Sequence, residues 1–362
     1  MGRITFPIGP QHPALKEPES FKITAEGERV VDADVRLGYN HRSIEAACQH
    51  RNYVRGQYLC ERICGICSHI HCNTFARAVE ELLDLEVPMR AKYIRTIVAE
   101  LERIHSHLLW LGVAGHEVGF DTLFMYVWRD REIVQDLLEL ISGNRVNYGM
   151  ATIGGAKMDL TPEIVSKCME GCKLLLERTE YYKGVATTEG TFLKRVEGVG
   201  MLSQQQAREL GAVGPTSRAS NVPNDIRHDF PYDAYDQIQM EFEPITSDLC
   251  DVLGRTIVRV LETEQACRIC LDLLPRLPEG DIQVRARPRV PEGETLVRCE
   301  APRGELIYYM RSNGTDKPAR VKVRTPSLAN WPAALAMLDG AYVADVPITI
   351  ASIDPCMACT DR

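Results

Sequence analysis

The chain is 362 residues long, 45% hydrophobic and 25% charged, with a formal net charge of −8. That is ordinary globular composition with length for an ample core, and it lacks the basic surface a phosphate-backbone binder needs, so nucleic acid is excluded as a partner. No apolar run approaches the roughly 20 residues of a membrane helix, and Met1-Gly2-Arg3-Ile4 begins no signal peptide. The expectation is a cytoplasmic chain that reaches a membrane only through a partner. Its thirteen cysteines, an odd number, are then expected to be reduced, which ranks metal ligation above a disulfide framework.

In chain order, Phe6-Pro7-Ile8-Gly9-Pro10-Gln11-His12-Pro13 is too proline-rich for helix. Residues 21–31 read as two strands about a Glu26-Gly27 turn. Residues 14–19 set acids between prolines, which by residue type alone is a solvated loop. A helical pattern covers roughly 74–85, and a helix start near Cys67 would lower thiol pKa values through its positive end. Pro88 opens a long helix whose Ile94, Ile97, Val98, Leu101, Ile104, Leu108 and Leu111 form one apolar stripe. Further helices are predicted over about 122–141, from Thr161-Pro162-Glu163 to about Tyr182, and over about 246–274. Residues 211–237 hold Gly, Pro, Asn and Asp with little periodicity, a long irregular segment expected to serve as a docking surface. Strands near 295–300, 304–312 and 318–325, with Ser312-Asn313-Gly314 as a hairpin turn, precede a short helix near 328–338. The predicted fold is α+β and predominantly helical, a long-helix bundle with small antiparallel sheets near both ends of the chain. It reads as one domain over 1–362: strands and loops at 1–60, the bundle at 61–280, a small sheet and a cysteine hairpin at 281–362.

The chemistry concentrates in Cys64-Gly65-Ile66-Cys67 and Cys356-Met357-Ala358-Cys359. Two residues between cysteines let both soft sulfurs face one metal. Four thiolates gathered together would be strongly anionic without metal charge to neutralise them. Cys267 with Cys270, and Cys168 with Cys172, stand at helical spacing and read as core packing. Cys48, Cys60, Cys72, Cys250 and Cys299 are single. Spacing alone leaves open a structural tetrathiolate zinc site that staples the two ends of the chain.

The flanks carry more information. Glu61-x-x-Cys64-Gly65-x-Cys67-x-x-x-His71 and Asp354-Pro355-Cys356-x-x-Cys359-x-x-Arg362 closely resemble the two signatures of the large subunit of nickel–iron hydrogenases. Residues 9–18, His41-Arg42-Ser43-Ile44-Glu45, Glu300-Ala301-Pro302-Arg303-Gly304-Glu305 and Arg324-Thr325-Pro326-Ser327 are similar to further segments of that family. The short length, the Pro10-Gln11-His12-Pro13 opening and the Thr360-Asp361-Arg362 ending resemble the energy-converting, membrane-associated branch (Ech and CO-induced types). That branch is related to the quinone-site subunit of respiratory complex I.

The resemblance implies the hydrogenase large-subunit fold and a nickel–iron centre with CO and CN− ligands on the iron. Carried onto this chain, Cys64, Cys67, Cys356 and Cys359 hold nickel, and Cys67 and Cys359 also bridge to iron. Cys356, a terminal ligand, can accept a proton. Arg303 directs its guanidinium at the open metal face, with Asp354 orienting it. Pro302 packs against the diatomic ligands and Ser327 donates to a cyanide. His71 hydrogen-bonds a bridging sulfur, and Glu17 takes the proton from the terminal thiolate. His69 stands where many relatives carry a small residue. The family often ends in a histidine that helps bind a magnesium or iron ion with a residue resembling Glu45. Here Arg362 takes that place, so a direct Arg362–Glu45 ion pair is expected instead of an ion. The implied activity is 2H+ + 2e− ⇌ H2, with ferredoxin as electron donor or acceptor. No ferredoxin-type cysteine run occurs in this chain, so a small hydrogenase subunit is expected to carry the nearest 4Fe-4S cluster. Further iron–sulfur and integral membrane subunits would couple the reaction to ion movement at the inner face of the cell membrane. Two other readings compete: a non-catalytic complex-I-like coupling subunit, against which the four cysteines count, and the zinc-stapled structural protein.

Overall fold

The computed structural model describes residues 2–12, 15 and 17–362. Pro13, Ala14 and Lys16 of the N-terminal segment lie outside the described residues. Strands β1 (Arg3–Ile8), β2 (Ser20–Glu26) and β3 (Arg29–Arg36) form an antiparallel meander in that order. Gly27 makes the β2–β3 turn at φ 62°, a conformation glycine adopts without a Cβ clash. Alternation in β2 sends Phe21, Ile23 and Ala25 to one face, where they meet the helices at the far end of the chain.

Helices α1 (Ile44–Gln49) and α2 (Tyr53–Glu61) follow, the latter capped by the Asn52 side chain accepting from Arg55 N. Neither is legible within the mainly strand and loop region expected over 1–60, because both are too short to show a clear apolar stripe. Helix α3 (Ser68–Leu82) starts well before the pattern at 74, because every residue from Ser68 to Ala76 is buried and no amphipathic face exists there to read. Helices α4 (Met89–Glu117), α5 (Asp121–Ser142), α6 (Pro162–Thr188) and α7 (Gly190–Val196) build the bundle, interrupted by the small β4 (Ala151–Thr152) and β5 (Gly155–Ala156) ladder. Thr161 caps α6 by accepting from Ile164 N, as its Thr-Pro-Glu start predicts.

Short helices α8 (Gln204–Glu209), α9 (Pro215–Arg218) and α10 (Ile226–Asp229) lead to α11 (Val252–Leu273). The α11 start lies later than the predicted 246, where the Asp251 side chain accepts from Gly254 N. The docking role expected for 211–237 does not suit most of that segment. Residues 212–220, 225–227 and 234–235 are buried, and only 228–231 form an exposed run. Its polar residues are satisfied internally: Arg218 pairs with Glu262 and Glu300 at 2.8 Å each, and Arg227 with Asp225 at 2.7 Å and Glu100 at 3.0 Å.

Strands β6 (Gly293–Ala301), β7 (Gly304–Ser312) and β8 (Arg320–Arg324) form the second meander. The β7–β8 connection spans 313–319, longer than the tight turn read at Ser312-Asn313-Gly314. Helices α12 (Pro326–Leu338), α13 (Val346–Ser352) and α14 (Met357–Asp361) close the chain. One apolar core fills the bundle of α4, α5, α6 and α11, taking in Cys168, Cys172, Cys267 and Cys270 as packing residues. A second lies between α2, α3 and the β6–β8 sheet, and a third between the β1–β3 sheet and α12–α13. All four cysteines of the two hairpins sit in the second. The α+β, predominantly helical fold with small antiparallel sheets is therefore as expected. No helix among the described residues is long and apolar enough to cross a membrane.

Candidate metal centre

Local backbone geometry prepares each cysteine hairpin. Cys67 is the N-cap of α3 and Cys356 the N-cap of α14. Cys64 Sγ accepts from Ile66 N at 3.3 Å, and Cys356 Sγ from Cys359 N at 3.3 Å. These backbone donors face the sulfurs and favour thiolate. The tertiary fold then joins the hairpins across almost the whole sequence. Cys64 Sγ lies 3.4 Å from Cys356 Sγ, and Cys67 Sγ lies 3.4 Å from Cys359 Sγ. Two ligand triads result, Cys64 with Cys356 and Cys359, and Cys67 with His71 and Cys359, each with its donor atoms within 4.8 Å of one another.

The electrostatics of the cluster suit a bound cation. Hydrogen bonds from Cys356, Cys359 and Cys67 hold the Cys64 thiol well below its ordinary value. Contacts with Cys356, Cys64 and Cys67, together with burial, push the Cys359 thiol well above it. One thiolate is easily formed; further ones in this buried pocket need a cation beside them. The soft, closely spaced donor set fits a thiophilic metal, and the Cys359 sulfur belongs to both triads, as a bridge between two ions would.

Arg303 sits in the two-residue turn between Ala301 and Gly304, which are paired in the β6–β7 ladder. It is buried, donating from Nε to Asp354 O at 2.7 Å, from Nη2 to Asp354 Oδ1 at 3.0 Å and from Nη1 to Ser106 Oγ at 3.2 Å. Burial opposes its charge, but Asp354, Cys356 and Cys64 more than offset that and raise its pKa. That burial rules out a solvent-exposed ion pair for Arg303. Two glycines permit the placement. A Cβ on Gly214 would lie 2.4 Å from Arg303 O, and one on Gly304 2.7 Å from Gly214 N. Arg103 of α4 holds the same turn from beneath, donating to Glu300 O at 2.9 Å.

The other expected residues gather round the C-terminal hairpin. Ser327 Oγ accepts from Cys356 N at 3.0 Å, which leaves its own proton free to donate. Glu17 Oε2 accepts from Ala358 N at 2.8 Å, touching the hairpin backbone and not a sulfur. Pro302 is buried in the turn beside Arg303. His71 Nε2 lies 3.5 Å from Cys359 Sγ, and burial lowers its pKa to about 4. Arg362 Nε reaches Glu45 Oε1 at 2.9 Å, so the expected ion pair is present. The chain end is also tied by Ile44 N to Arg362 O at 3.1 Å, and by Gly38 N and Asn40 N to the Asp361 carboxylate at 3.0 and 2.8 Å.

Glu102 and Tyr308 carried no signal in the sequence, and Glu19 only that of a second acid two residues from Glu17. Glu102 of α4 accepts from His69 N at 2.7 Å and Ile70 N at 3.1 Å, serving as the acceptor that the α3 N-terminus lacks in its own side chains. Burial raises its pKa to about 8 against those two donors. Tyr308 of β7 bonds His71 Nδ1 at 2.8 Å. Glu19 is wholly buried, neither carboxylate oxygen has a side-chain partner among the described residues, and burial with the charges of Asp361 and Glu17 raises its pKa to about 8. His69 uses its larger ring to bridge elements: Nε2 faces Arg95 O at 2.9 Å and Nδ1 accepts from Met150 N at 3.2 Å.

Comparisons with known proteins agree with this arrangement. The profile of the family described as respiratory-chain NADH dehydrogenase, 49 Kd subunit, matches residues 117–290 and 283–362. That of the nickel-dependent hydrogenases matches 42–112, the stretch holding the first cysteine pair. The membrane-bound hydrogenase subunit alpha of Pyrococcus furiosus is 42% identical, over 99% of this chain and 87% of that protein. The carbon monoxide-induced hydrogenase of Rhodospirillum rubrum is 38% identical over the full length of both. Among solved structures, a chain of the membrane-bound sulfane sulfur reductase, an archaeal respiratory membrane complex, superposes with a TM-score of 0.93 at 31% identity, covering 99% of this chain and 98% of that one. With its fold, its paired cysteine hairpins and its full-length relatives in agreement, the chain belongs to the family that unites the large subunits of nickel-dependent hydrogenases with the 49 kDa subunit of respiratory-chain NADH dehydrogenase, on the side of the membrane-bound and carbon monoxide-induced hydrogenases.

Proposed function

We propose that this chain is the catalytic subunit of an energy-converting hydrogenase that interconverts protons, electrons and H2 at a nickel–iron centre bearing CO and CN−. The observation that carries this reading is the convergence of all four hairpin cysteines in one buried cluster with Arg303 set beside it. When bound, the centre supplies the redox chemistry that splits or forms H2. The chain's own residues hold it and handle the proton. Cys64, Cys67, Cys356 and Cys359 would hold the centre, Cys67 and Cys359 being shared between its metals, and the Cys356 sulfur would accept a proton. Arg303, clamped by Asp354, keeps a permanent positive charge at the open face. Glu17, next to the hairpin backbone, relays the proton. Pro302 and Ser327 line the pocket for the diatomic ligands, and His71 donates to the bridging sulfur.

Ferredoxin is the proposed electron donor or acceptor, reached through a small subunit carrying a 4Fe-4S cluster and further iron–sulfur subunits. The membrane-bound complexes among the relatives support integral membrane partners and a peripheral site on the inner face of the cell membrane. The Arg362–Glu45 ion pair supports the reading that this arginine replaces an ion there. A non-catalytic coupling subunit is the second reading, since the matching family includes the 49 kDa subunit.

Element analysis and infrared spectroscopy of the native assembly test the proposal. Nickel and iron in equal amounts with CO and CN− bands are expected, and Cys64→Ala or Cys359→Ala should each lose the nickel. Zinc alone, or no metal with full assembly, would end the hydrogenase reading in favour of the staple or the coupling subunit.

A further inference from the structure

Behind the Cys359 sulfur the structure holds a line of buried polar groups, of which the proposed chemistry uses only His71. His71 Nε2 faces Cys359 Sγ at 3.5 Å, and its Nδ1 meets Tyr308 Oη at 2.8 Å. The Tyr308 hydroxyl also neighbours the Cys60 thiol. Cys60 stands 3.7 Å from Cys48. His71 is 1% exposed and Tyr308, Cys60 and Cys48 are 0% exposed, so bulk water does not compete for these bonds.

Proton bookkeeping gives the line a direction. A neutral imidazole has one N–H and one lone pair, and a phenol has one proton. If Nδ1 carried the proton, the Nε2 lone pair would point at the electron-rich sulfur of a metal-bound thiolate, a repulsive contact in a buried site. The favourable order has Tyr308 O–H donating to His71 Nδ1 and His71 Nε2–H donating to Cys359 Sγ. Every donor is then used once. The tyrosine ring itself is fixed by the sheet, Tyr308 pairing with Val323, and by the edge of Phe75 at 6.5 Å between ring centroids.

We infer that Tyr308 is a positioning residue of the metal centre: its hydroxyl locks the His71 tautomer and ring so that Nε2–H bears on the Cys359 sulfur. A hydrogen bond to a bridging thiolate withdraws electron density from it, and so from the metals it joins. Tyr308 therefore tunes the centre without touching it. This inference rests on the nickel–iron reading.

The test uses the native assembly and infrared spectra of the diatomic ligands, with metal content measured in parallel. Tyr308→Phe should keep nickel and iron yet displace the CO and CN− bands and the midpoint potential of the centre. His71→Leu should displace them in the same direction, and the double variant no further than His71→Leu alone. Phe75→Leu, which removes the packing ring but not the hydroxyl, should leave the bands where they are. Bands in Tyr308→Phe that superimpose on the wild type, a folded Tyr308→Phe without metals, additive effects in the double variant, or an equal displacement in Phe75→Leu would each overturn the assignment. A wild-type protein with no diatomic bands would instead remove the nickel–iron reading beneath it.

Discussion

A guanidinium turned into a protein interior must find partners for its N–H groups, and Arg303 finds a carbonyl, a carboxylate and a hydroxyl from two distant elements. A lysine there would keep the charge but not the fork that engages Asp354 twice. Arg303→Lys is expected to retain the metals while losing about 100-fold in hydrogen turnover, the scale of removing one preorganised charged donor; unchanged turnover by H2/D+ exchange would refute the role. Glu19 makes a different residue-scale prediction. Its folded pKa of about 8 lies above the usual carboxyl value near 4.5, so between those limits the folded state holds a proton that the unfolded state releases. Its contribution is full below about pH 4.5 and is lost as pH rises toward 8. Glu19→Gln should therefore narrow the stability gap between pH 5 and pH 8 by about 1 kcal/mol or more, read from denaturant unfolding at the two pH values; an unchanged gap would count against a proton held there. Asp354 and Glu45, which pair with Arg303 and Arg362, were legible through the resemblance of their short motifs to the hydrogenase family. Glu19, Glu102 and Tyr308 were not, since a lone acid or tyrosine in an unremarkable stretch acquires meaning only from what the fold sets against it.

At the scale of elements, the β6–β7 turn is held by a buried charge network, not by apolar packing alone. Arg218 of α9 ties Glu262 of α11 to Glu300 of β6, one residue pair before the turn, while His107 shares Glu262 at 2.9 Å. Burial already raises Glu300 to about 7 despite its arginine neighbours. Arg218→Met would leave two buried carboxylates short of their counter-ion, and a loss of about 3 kcal/mol or more in unfolding free energy is expected; a neutral result in urea unfolding would mean the network is not structural. Long elements with clear periodicity, α4 and α5, and the capped start of α6 could be read directly from the chain. Helices α9 and α10 could not, because each is four residues long and stands on ion pairs from elsewhere.

Across the whole molecule, the two ends of the chain meet at the cysteine cluster. Cys359 alone contacts Cys67 and His71, and its carbonyl accepts from Thr325 Oγ1 at 3.0 Å. A metal bound by both hairpins would cross-link segments nearly 300 residues apart and add its binding energy to folding. Protein isolated without metal should accordingly melt at lower temperature and show faster amide hydrogen exchange over 346–362 than the loaded form; equal exchange would mean that the C-terminal segment is held without the metal. What the sequence alone determined was the bundle, the sheets at its ends and the two cysteine pairs proposed as ligands, because helical periodicity and cysteine spacing are local properties of a chain. What only the tertiary structure decided was the meeting of the two hairpins, the burial of Arg303 in a turn and the supporting hydrogen bonds of Glu102 and Tyr308. These are contacts between residues far apart in sequence, and no local pattern encodes which distant group will satisfy a buried donor.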